Sequence, residues 1–128
     1  YGNSHRGFCL VFDETQKFIA RAQEIVYSEK YPIVNPILED DNVRLTKSLL
    51  TKAKHWEYEK ELRIFDYEVG PGKKYFPPRA LVGVIFGCKM LETDKVRIRE
   101  WCKDRKTGVD FFQALEAPRT YSLEIAQL

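Results

Sequence analysis

Two short, continuous apolar runs constrain the fold of this chain more than any other feature of its sequence. One is Phe8–Phe12, between Gly7 and Asp13, and the other covers residues 80–86 and ends at Gly87. Neighbouring side chains on a strand point to opposite faces, so a run that is apolar at every position is typical of a strand buried on both faces. The two runs therefore predict strands inside a sheet that is covered on both sides.

Apolar side chains at helical spacing predict three helices. Residues 14–22, 43–54 and 94–106 each carry an apolar stripe with polar residues on the remaining surface. Each stretch follows a side chain that can accept a hydrogen bond from the first helical turn. These capping residues are Asp13, Asp40 or Asp41, and Thr93.

Further segments with β-propensity predict the other strands. They cover residues 25–27, 58–69, 109–115 and 120–125, and the last two are expected to form a hairpin. Together these elements predict an α+β fold, a bent mixed sheet of about six strands with two or three packed helices. Because 128 residues can bury one core and no linker or repeat interrupts them, residues 1–128 are predicted to form a single domain.

Composition excludes several classes of protein. No apolar run approaches the roughly 20 residues that span a bilayer, so no membrane association is expected. The chain has 21 basic and 19 acidic residues and a net charge of +2, which fits neither a disordered chain nor a nucleic-acid coat. Residues 89–106 have a modest basic excess that is typical of a solvated helix face, so nucleic acid is not strongly indicated.

The cysteines and histidines indicate no metal site. Cys9, Cys88 and Cys102 lie far apart in the sequence, and an odd number of thiols cannot all pair within one chain. We therefore expect a reducing, cytoplasmic setting and small, buried thiols. His5 and His55 have no Cys or Asp at ligand spacing, and His5 fits either a hydrogen bond within its loop or a role in catalysis or binding.

Residues 56–65 hold the densest run of charged and aromatic side chains. If the segment is extended, its two faces have opposite character, with Arg63 and either Lys52 or Lys54 able to neutralise the acidic face. The run fits an edge strand that is charged against mispairing, or a carboxylate held beside an arginine in a substrate cleft. One face would carry Glu57, Glu59, Glu61 and Arg63, and the other Trp56, Tyr58, Leu62 and Ile64.

Several blocks of this sequence, in order through almost the whole chain, resemble the DUF2971 family of bacterial proteins. The blocks are residues 1–13, Val26-Tyr27, Lys54-His-Trp followed by Glu59-x-Glu-x-Arg, and 81–87. Members usually carry an additional N-terminal region. The resemblance, together with a chain that opens at Tyr1, therefore implies that residues 1–128 are the C-terminal portion of a longer protein.

The family layout is in turn similar to that of ADP-ribosyltransferases, which implies NAD as cofactor and a macromolecule as acceptor, in a bacterial defence or toxin context. The resemblance places Glu61, or else Glu59, at the glutamate that contacts the nicotinamide ribose. A carboxylate there stabilises the oxocarbenium-like transition state, and a second can take a proton from the acceptor. The remaining candidates are substrate-binding residues: Arg63, which would orient or neutralise the acids, Tyr27 and Trp56, which would stack on a ring, and His5.

Two other functions fit the same residues. A non-enzymatic protein- or RNA-binding or regulatory module would leave Glu59, Glu61 and Arg63 on an open surface, without a pocket beside them. A magnesium-dependent nuclease would need more oxygen ligands around the same acids. An enzyme that binds NAD would instead bring these side chains together at a concave, aromatic-lined cleft.

Overall fold

A computed structural model of the chain describes residues 2–65 and 70–128. The chain forms two compact units, which we call the sheet unit, Tyr1–Gln16 with Lys74–Leu128, and the cluster unit, Lys17–Lys73. The predicted α+β class is confirmed, whereas the assignment of residues 1–128 to one domain stays a prediction. None of the helices in the described residues is long and apolar enough to cross a membrane.

The described residues contain helices, 3-10 turns and strands. The helices are a short left-handed turn α1 (Gly2–His5), α2 (Asp41–Leu50) and α3 (Glu92–Lys103), with 3-10 turns η1 (Ile19–Arg21), η2 (Lys54–Glu59) and η3 (Pro78–Ala80). The strands are β1 (Phe8–Phe12), β2 (Gln23–Glu24), β3 (Val26–Ser28), β4 (Thr51–Ala53), β5 (Leu62–Arg63), β6 (Leu81–Phe86), β7 (Asp110–Glu116) and β8 (Leu123–Gln127).

The sheet unit is built on a four-stranded mixed sheet in the order β1-β6-β7-β8. β6 pairs antiparallel with β1 and parallel with β7, and β7 pairs antiparallel with β8, which confirms the predicted C-terminal hairpin. The parallel β6–β7 pair is connected through α3, as a crossover between parallel strands requires. The predicted mixed sheet is therefore present here, and the other strands pair in two smaller sheets.

The core of the sheet unit lies where α3 packs on β6. Phe86 and Val84 of β6 are fully buried with Ile98 of α3, and the Phe86 ring stacks on Phe111 at 5.7 Å between centroids. Gly87 follows directly, and a side chain at this position would overlap the carbonyl group of His5. Only glycine lets the chain leave β6 so close to the turn at residues 2–5.

Three predictions are wrong, for β1, for the cysteines and for residues 14–22. β1 lies at one edge of the sheet and is not buried on both faces, since Phe8 is 46% exposed and Leu10 is also exposed. Cys9 is exposed, and Cys88 and Cys102 are only partly buried, so the prediction of buried thiols is wrong. No helix spans residues 14–22, because Asp13 accepts hydrogen bonds from the Thr15 N–H and hydroxyl and from Gln16, forming a local turn that competes with a helix. Only η1 remains of that helix.

The boundaries of α3 also differ from the prediction. The helix begins at Glu92 after Leu91, which makes no side-chain cap, and it ends at Lys103 rather than residue 106. Thr93 is thus inside the first turn. The acidic residues Glu92 and Asp94 in that turn lie near the positive end of the helix dipole, which stabilises the start of the helix without a cap.

The cluster unit contains a β3–α2–β4 crossover. β3 and β4 pair in parallel, with Tyr27 opposite Lys52, and α2 connects them. The predicted cap of α2 is confirmed, because Asp40 accepts a hydrogen bond from the Val43 N–H at 2.9 Å. The helix ends at Leu50, however, and the predicted continuation to residue 54 is strand β4, since Thr51–Ala53 pair with β3.

The prediction of a continuous strand over residues 58–69 is wrong in its described part. Lys54–Glu59 form a 3-10 turn, and the left-handed conformation of Lys60, with φ of 46°, ends it. Only Leu62–Arg63 are in a strand, which pairs antiparallel with Gln23–Glu24. Residues 66–69 lie outside the described residues.

Candidate functional site

Four charged side chains of the cluster unit meet beside the β3–β4 pair. Lys52 comes from β4, Glu59 from the 3-10 turn that follows it, and Glu61 and Arg63 from the segment of β5. We call these four residues the charged cluster. The left-handed turn at Lys60 separates the two glutamates, and both still reach Lys52.

Glu61 accepts hydrogen bonds from two cations. Its Oε2 is 2.8 Å from Lys52 Nζ and 3.3 Å from Arg63 Nη2, and its Oε1 accepts from Arg63 Nε. Lys52 also donates to Glu59 Oε2, and Arg63 Nη1 donates to the backbone carbonyl of Leu49 in α2. The cluster therefore links β4, η2, β5 and α2, and its formal charges cancel.

The backbone of Glu61 is held as firmly as its side chain. Its N–H donates to the Tyr27 hydroxyl at 2.8 Å, and its carbonyl accepts from the Ile25 N–H at 3.3 Å. Both partners lie next to or within β3. This support fixes the direction in which the carboxylate points, which a functional group needs before a ligand arrives.

The ion pairs change the pKa values of the cluster. The Arg63 and Lys52 hydrogen bonds lower the pKa of Glu61 from 4.5 to about 2. Hydrogen bonds from Lys52 to Glu59 and Glu61 raise the pKa of Lys52 from 10.5 to about 12, and the bond to Glu61 raises the pKa of Arg63. Glu61 is therefore ionised at every physiological pH, so it acts as a fixed negative charge and acceptor rather than as a proton carrier.

A cleft of about 490 Å³ opens beside the cluster. Glu61 and Tyr27 line it, and its volume is within the range of ligand pockets. Tyr27 is its aromatic residue; Trp56 instead lies with its ring 5.1 Å from Lys52 Nζ. The cleft is lined by Glu24, Ile25, Tyr27, Glu57, Lys60, Glu61 and Leu62.

The structure brings most of the predicted site residues together. Glu59, Glu61 and Arg63 form the cluster with Lys52, one of the two cations named from the sequence as partners, whereas Lys54 pairs with Glu57 at 2.7 Å. Tyr27 and Trp56 lie beside it. His5 belongs to the sheet unit, where its carbonyl accepts from the Lys89 N–H and the residue borders an apolar cleft of about 250 Å³.

The extended geometry on which the sequence interpretation rested does not occur, because Glu57 and Glu59 lie in a 3-10 turn. The sequence did not indicate two hydrogen bonds of the cluster. Arg63 donates to the Leu49 carbonyl, and the Glu61 N–H donates to the Tyr27 hydroxyl. Both come from residues distant in sequence, and no local pattern marks them. The acidic spacing of residues 57–61 and the resemblance carried by residues 54–63 were the signals that pointed to this part of the chain.

The magnesium hypothesis gains no support from the described residues. They contain no group of three or more His, Cys, Asp or Glu side chains that could hold a metal ion. The two glutamates of the cluster face the ammonium and guanidinium groups of Lys52 and Arg63. Because Glu59 accepts from Lys52 through one oxygen and Glu61 accepts from Lys52 and Arg63 through both, a divalent ion would compete with these two cations.

Comparison with known proteins identifies no relative. No protein-family model matches the chain, and no match was found among curated proteins or solved structures. Function must therefore be inferred from the residues and geometry of the chain itself.

The low pKa of Glu61 predicts a specific acid sensitivity. A carboxyl group whose pKa falls from 4.5 to about 2 on folding stabilises the folded state fully above pH 4.5, and this contribution disappears as the pH falls through 2. The difference in unfolding free energy between wild type and Glu61→Gln, measured by urea titration, should therefore shrink steadily between those pH values. Glu29→Gln, which removes an exposed acid outside the ion pairs of the described residues, is the control. A constant difference across the pH range contradicts the prediction.

Proposed function

We propose that the chain is part of a DUF2971-like protein that transfers ADP-ribose from NAD to a macromolecule. In this proposal the charged cluster and its cleft hold the nicotinamide ribose. The observation that carries it is Glu61, an ionised carboxylate fixed by Lys52, Arg63 and the Tyr27 hydroxyl at the wall of a cleft. Such a group can accept a hydrogen bond from a ribose hydroxyl, and this bond strengthens as positive charge develops on the sugar.

The reaction breaks the bond between ribose C1 and the nicotinamide nitrogen, and the electron pair leaves with nicotinamide. A nucleophilic atom of the acceptor then bonds to C1 and gives up its proton. Glu59 is suited to take that proton, because only its Oε2 is bonded to Lys52 and its Oε1 forms no hydrogen bond within the described residues. Arg63 orients Glu61 through its two nitrogen donors.

The direct test is incubation of the full chain with NAD labelled in its adenine, with and without a cell extract as a source of acceptor. We expect nicotinamide release and, with extract, label on protein or nucleic acid. Equal rates for wild type and Glu61→Gln count against the proposal. The reducing, cytoplasmic and bacterial setting expected from the sequence belongs to the same proposal.

A second candidate function is that of a non-enzymatic module that binds a protein. The segment between β3 and α2 exposes large apolar side chains; Tyr31, Ile33, Ile37 and Leu38 are 82–96% exposed. Its backbone is nevertheless held, because Asn35 accepts from the Ile37 and Leu38 N–H groups. An ordered segment with exposed apolar side chains is typical of a protein contact surface.

Photo-crosslinking tests this candidate. A benzoylphenylalanine at position 37 should give one discrete product with a protein, and Ile33→Asp with Leu38→Asp should abolish it. The same probe at position 121, an exposed tyrosine of the sheet unit, is the matched control. No discrete product, or the same product from position 121, contradicts protein binding by this segment.

A further inference from the structure

The outer edge of β8 is open to another strand. β8 is the last strand of the four-stranded sheet, and β7 is its only partner among residues 2–65 and 70–128. We propose that two copies of this chain pair antiparallel through their β8 strands, centred on Ile125, so that the two four-stranded sheets become one. This interface belongs to the sheet unit and goes beyond the reaction proposed for the cluster unit.

Alternate residues of β8 point their backbone groups away from the sheet. The Leu128 N–H donates to the Phe111 carbonyl, and the Ser122 carbonyl accepts from the Ala117 N–H. In an antiparallel pair, residues bonded to the partner strand alternate with residues whose N–H and C=O groups face the other side. The even-numbered residues of β8 therefore bond β7. The residues whose backbone groups face outward are Leu123, Ile125 and Gln127.

β8 lacks the features that keep many edge strands from pairing, which are prolines, bulges and several charges. Its sequence Leu-Glu-Ile-Ala-Gln has one charge, and its register with β7 is unbroken. β1, at the opposite edge, instead shifts register between Val11 and Phe12, and the Phe12 ring packs against Phe76 at 4.8 Å between centroids. β8 is therefore the more regular of the two edges and the better template for a further strand.

The sequence of β8 is complementary to a second copy of itself. With Ile125 opposite Ile125 of the second copy, Leu123 lies opposite Gln127, and all three outward residues exchange both backbone hydrogen bonds. Glu124 then lies opposite Ala126. Sliding the strands so that Leu123 faces Ile125 sets the two Glu124 carboxylates directly opposite each other, which is destabilising. Sliding them the other way leaves the outward groups of Leu123 without a partner in β8.

The side chains on one face of the sheet favour the same pairing. Leu123 and Ile125 are 43% and 52% exposed, and they line the apolar cleft of about 250 Å³ together with Ala114 and Ile85. Directly opposite residues of paired strands lie on the same face and contact each other. The two Ile125 side chains therefore meet in the dimer, and burial of their exposed apolar surface stabilises it.

Analytical ultracentrifugation of the full chain from about 1 to 500 µM tests the proposal, and we expect a monomer–dimer equilibrium. Ile125→Lys and Ile125→Asp should each raise the dissociation constant by about tenfold or more, because like charges then face each other across the pair. An equimolar mixture of the two variants should recover the dimer, because opposite charges face each other. Leu10→Lys, at the centre of β1, is the matched control; Leu10 is 42% exposed, and its substitution should leave dimerisation unchanged.

Amide hydrogen exchange of the unsubstituted chain locates the interface. The N–H groups of Leu123, Ile125 and Gln127 should become protected as the protein concentration rises. Those of Glu124 and Ala126, which bond β7, should be protected at every concentration. This alternation requires no substitution, so it decides between β8 and other surfaces even if a variant does not fold.

Three results would overturn the proposal. The first is a monomer throughout the concentration range, and protection of the outward amides by another protein alone would then identify a different partner for β8. The second is a dimer that Leu10→Lys dissociates. The third is a mixture of folded Ile125 variants that does not recover the dimer, since the register centred on Ile125 requires that recovery. None of these results depends on whether the chain cleaves NAD.

Discussion

Replacing Glu61 by glutamine should reduce nicotinamide release from NAD by about 100- to 1,000-fold, the usual cost of removing one group that stabilises charge in a transition state. The amide cannot supply the negative charge that opposes the developing oxocarbenium ion. It also presents an NH2 group toward Lys52 or Arg63, which are donors themselves. The measurement is the single-turnover rate of nicotinamide release at saturating NAD.

Glu92→Gln is the matched control for this experiment. Glu92 also pairs with a lysine and an arginine, at 3.3 Å from Lys95 and 3.2 Å from Arg99, but it lies on α3 of the sheet unit. The same substitution there should leave nicotinamide release unchanged. If both variants lose activity to the same extent, the loss reports general destabilisation and the assignment of Glu61 fails. Circular dichroism of each variant establishes that it is folded.

Replacing Phe86 by alanine should destabilise the sheet unit by about 3–5 kcal/mol, because it empties the centre of the core. Phe86 is fully buried in one cluster with Val84 and Ile98, stacks on Phe111, and has the Arg99 guanidinium 5.3 Å above its ring. The cavity and the lost contacts both lower the free energy of unfolding. Urea unfolding, monitored through hydrogen exchange of the β6 and β7 amides, measures the loss of stability of this unit.

Phe8→Ala provides a close comparison, since Phe8 lies directly opposite Phe86 in the β1–β6 pair. Phe8 is 46% exposed, so its truncation should cost clearly less than that of Phe86. Equal losses would show that the edge strand contributes as much to the core as β6 does. That result would contradict the placement of the core between β6 and α3.

Local patterns in the sequence were enough to predict several elements. The apolar run at residues 80–86 predicted β6, the cap at Asp40 predicted the start of α2, and the two final strands predicted the β7–β8 hairpin. In each of these cases, neighbouring residues decide the outcome through side-chain alternation, a cap or a short connection. The acidic spacing at residues 57–61 similarly drew attention to the right part of the chain.

Long-range contacts decided the remaining features. Ala53 continues the apolar stripe of α2, yet Thr51–Ala53 form β4, because pairing with β3 satisfies their backbone groups. The Phe8–Phe12 run looks equally internal in the sequence, but it lies at the edge of the sheet. Strand order depends on partners distant in the chain, which no local window contains.

The sequence by itself determined which residues could form a charged site, since Glu59, Glu61 and Arg63 lie within five residues of one another. Only the tertiary structure decided what these residues do. It places Lys52 between the two glutamates, the Tyr27 hydroxyl on the Glu61 backbone and the Leu49 carbonyl on Arg63. These contacts fix the charge and direction of Glu61, because a carboxylate takes its pKa from the cations that surround it in space rather than from its neighbours in the chain.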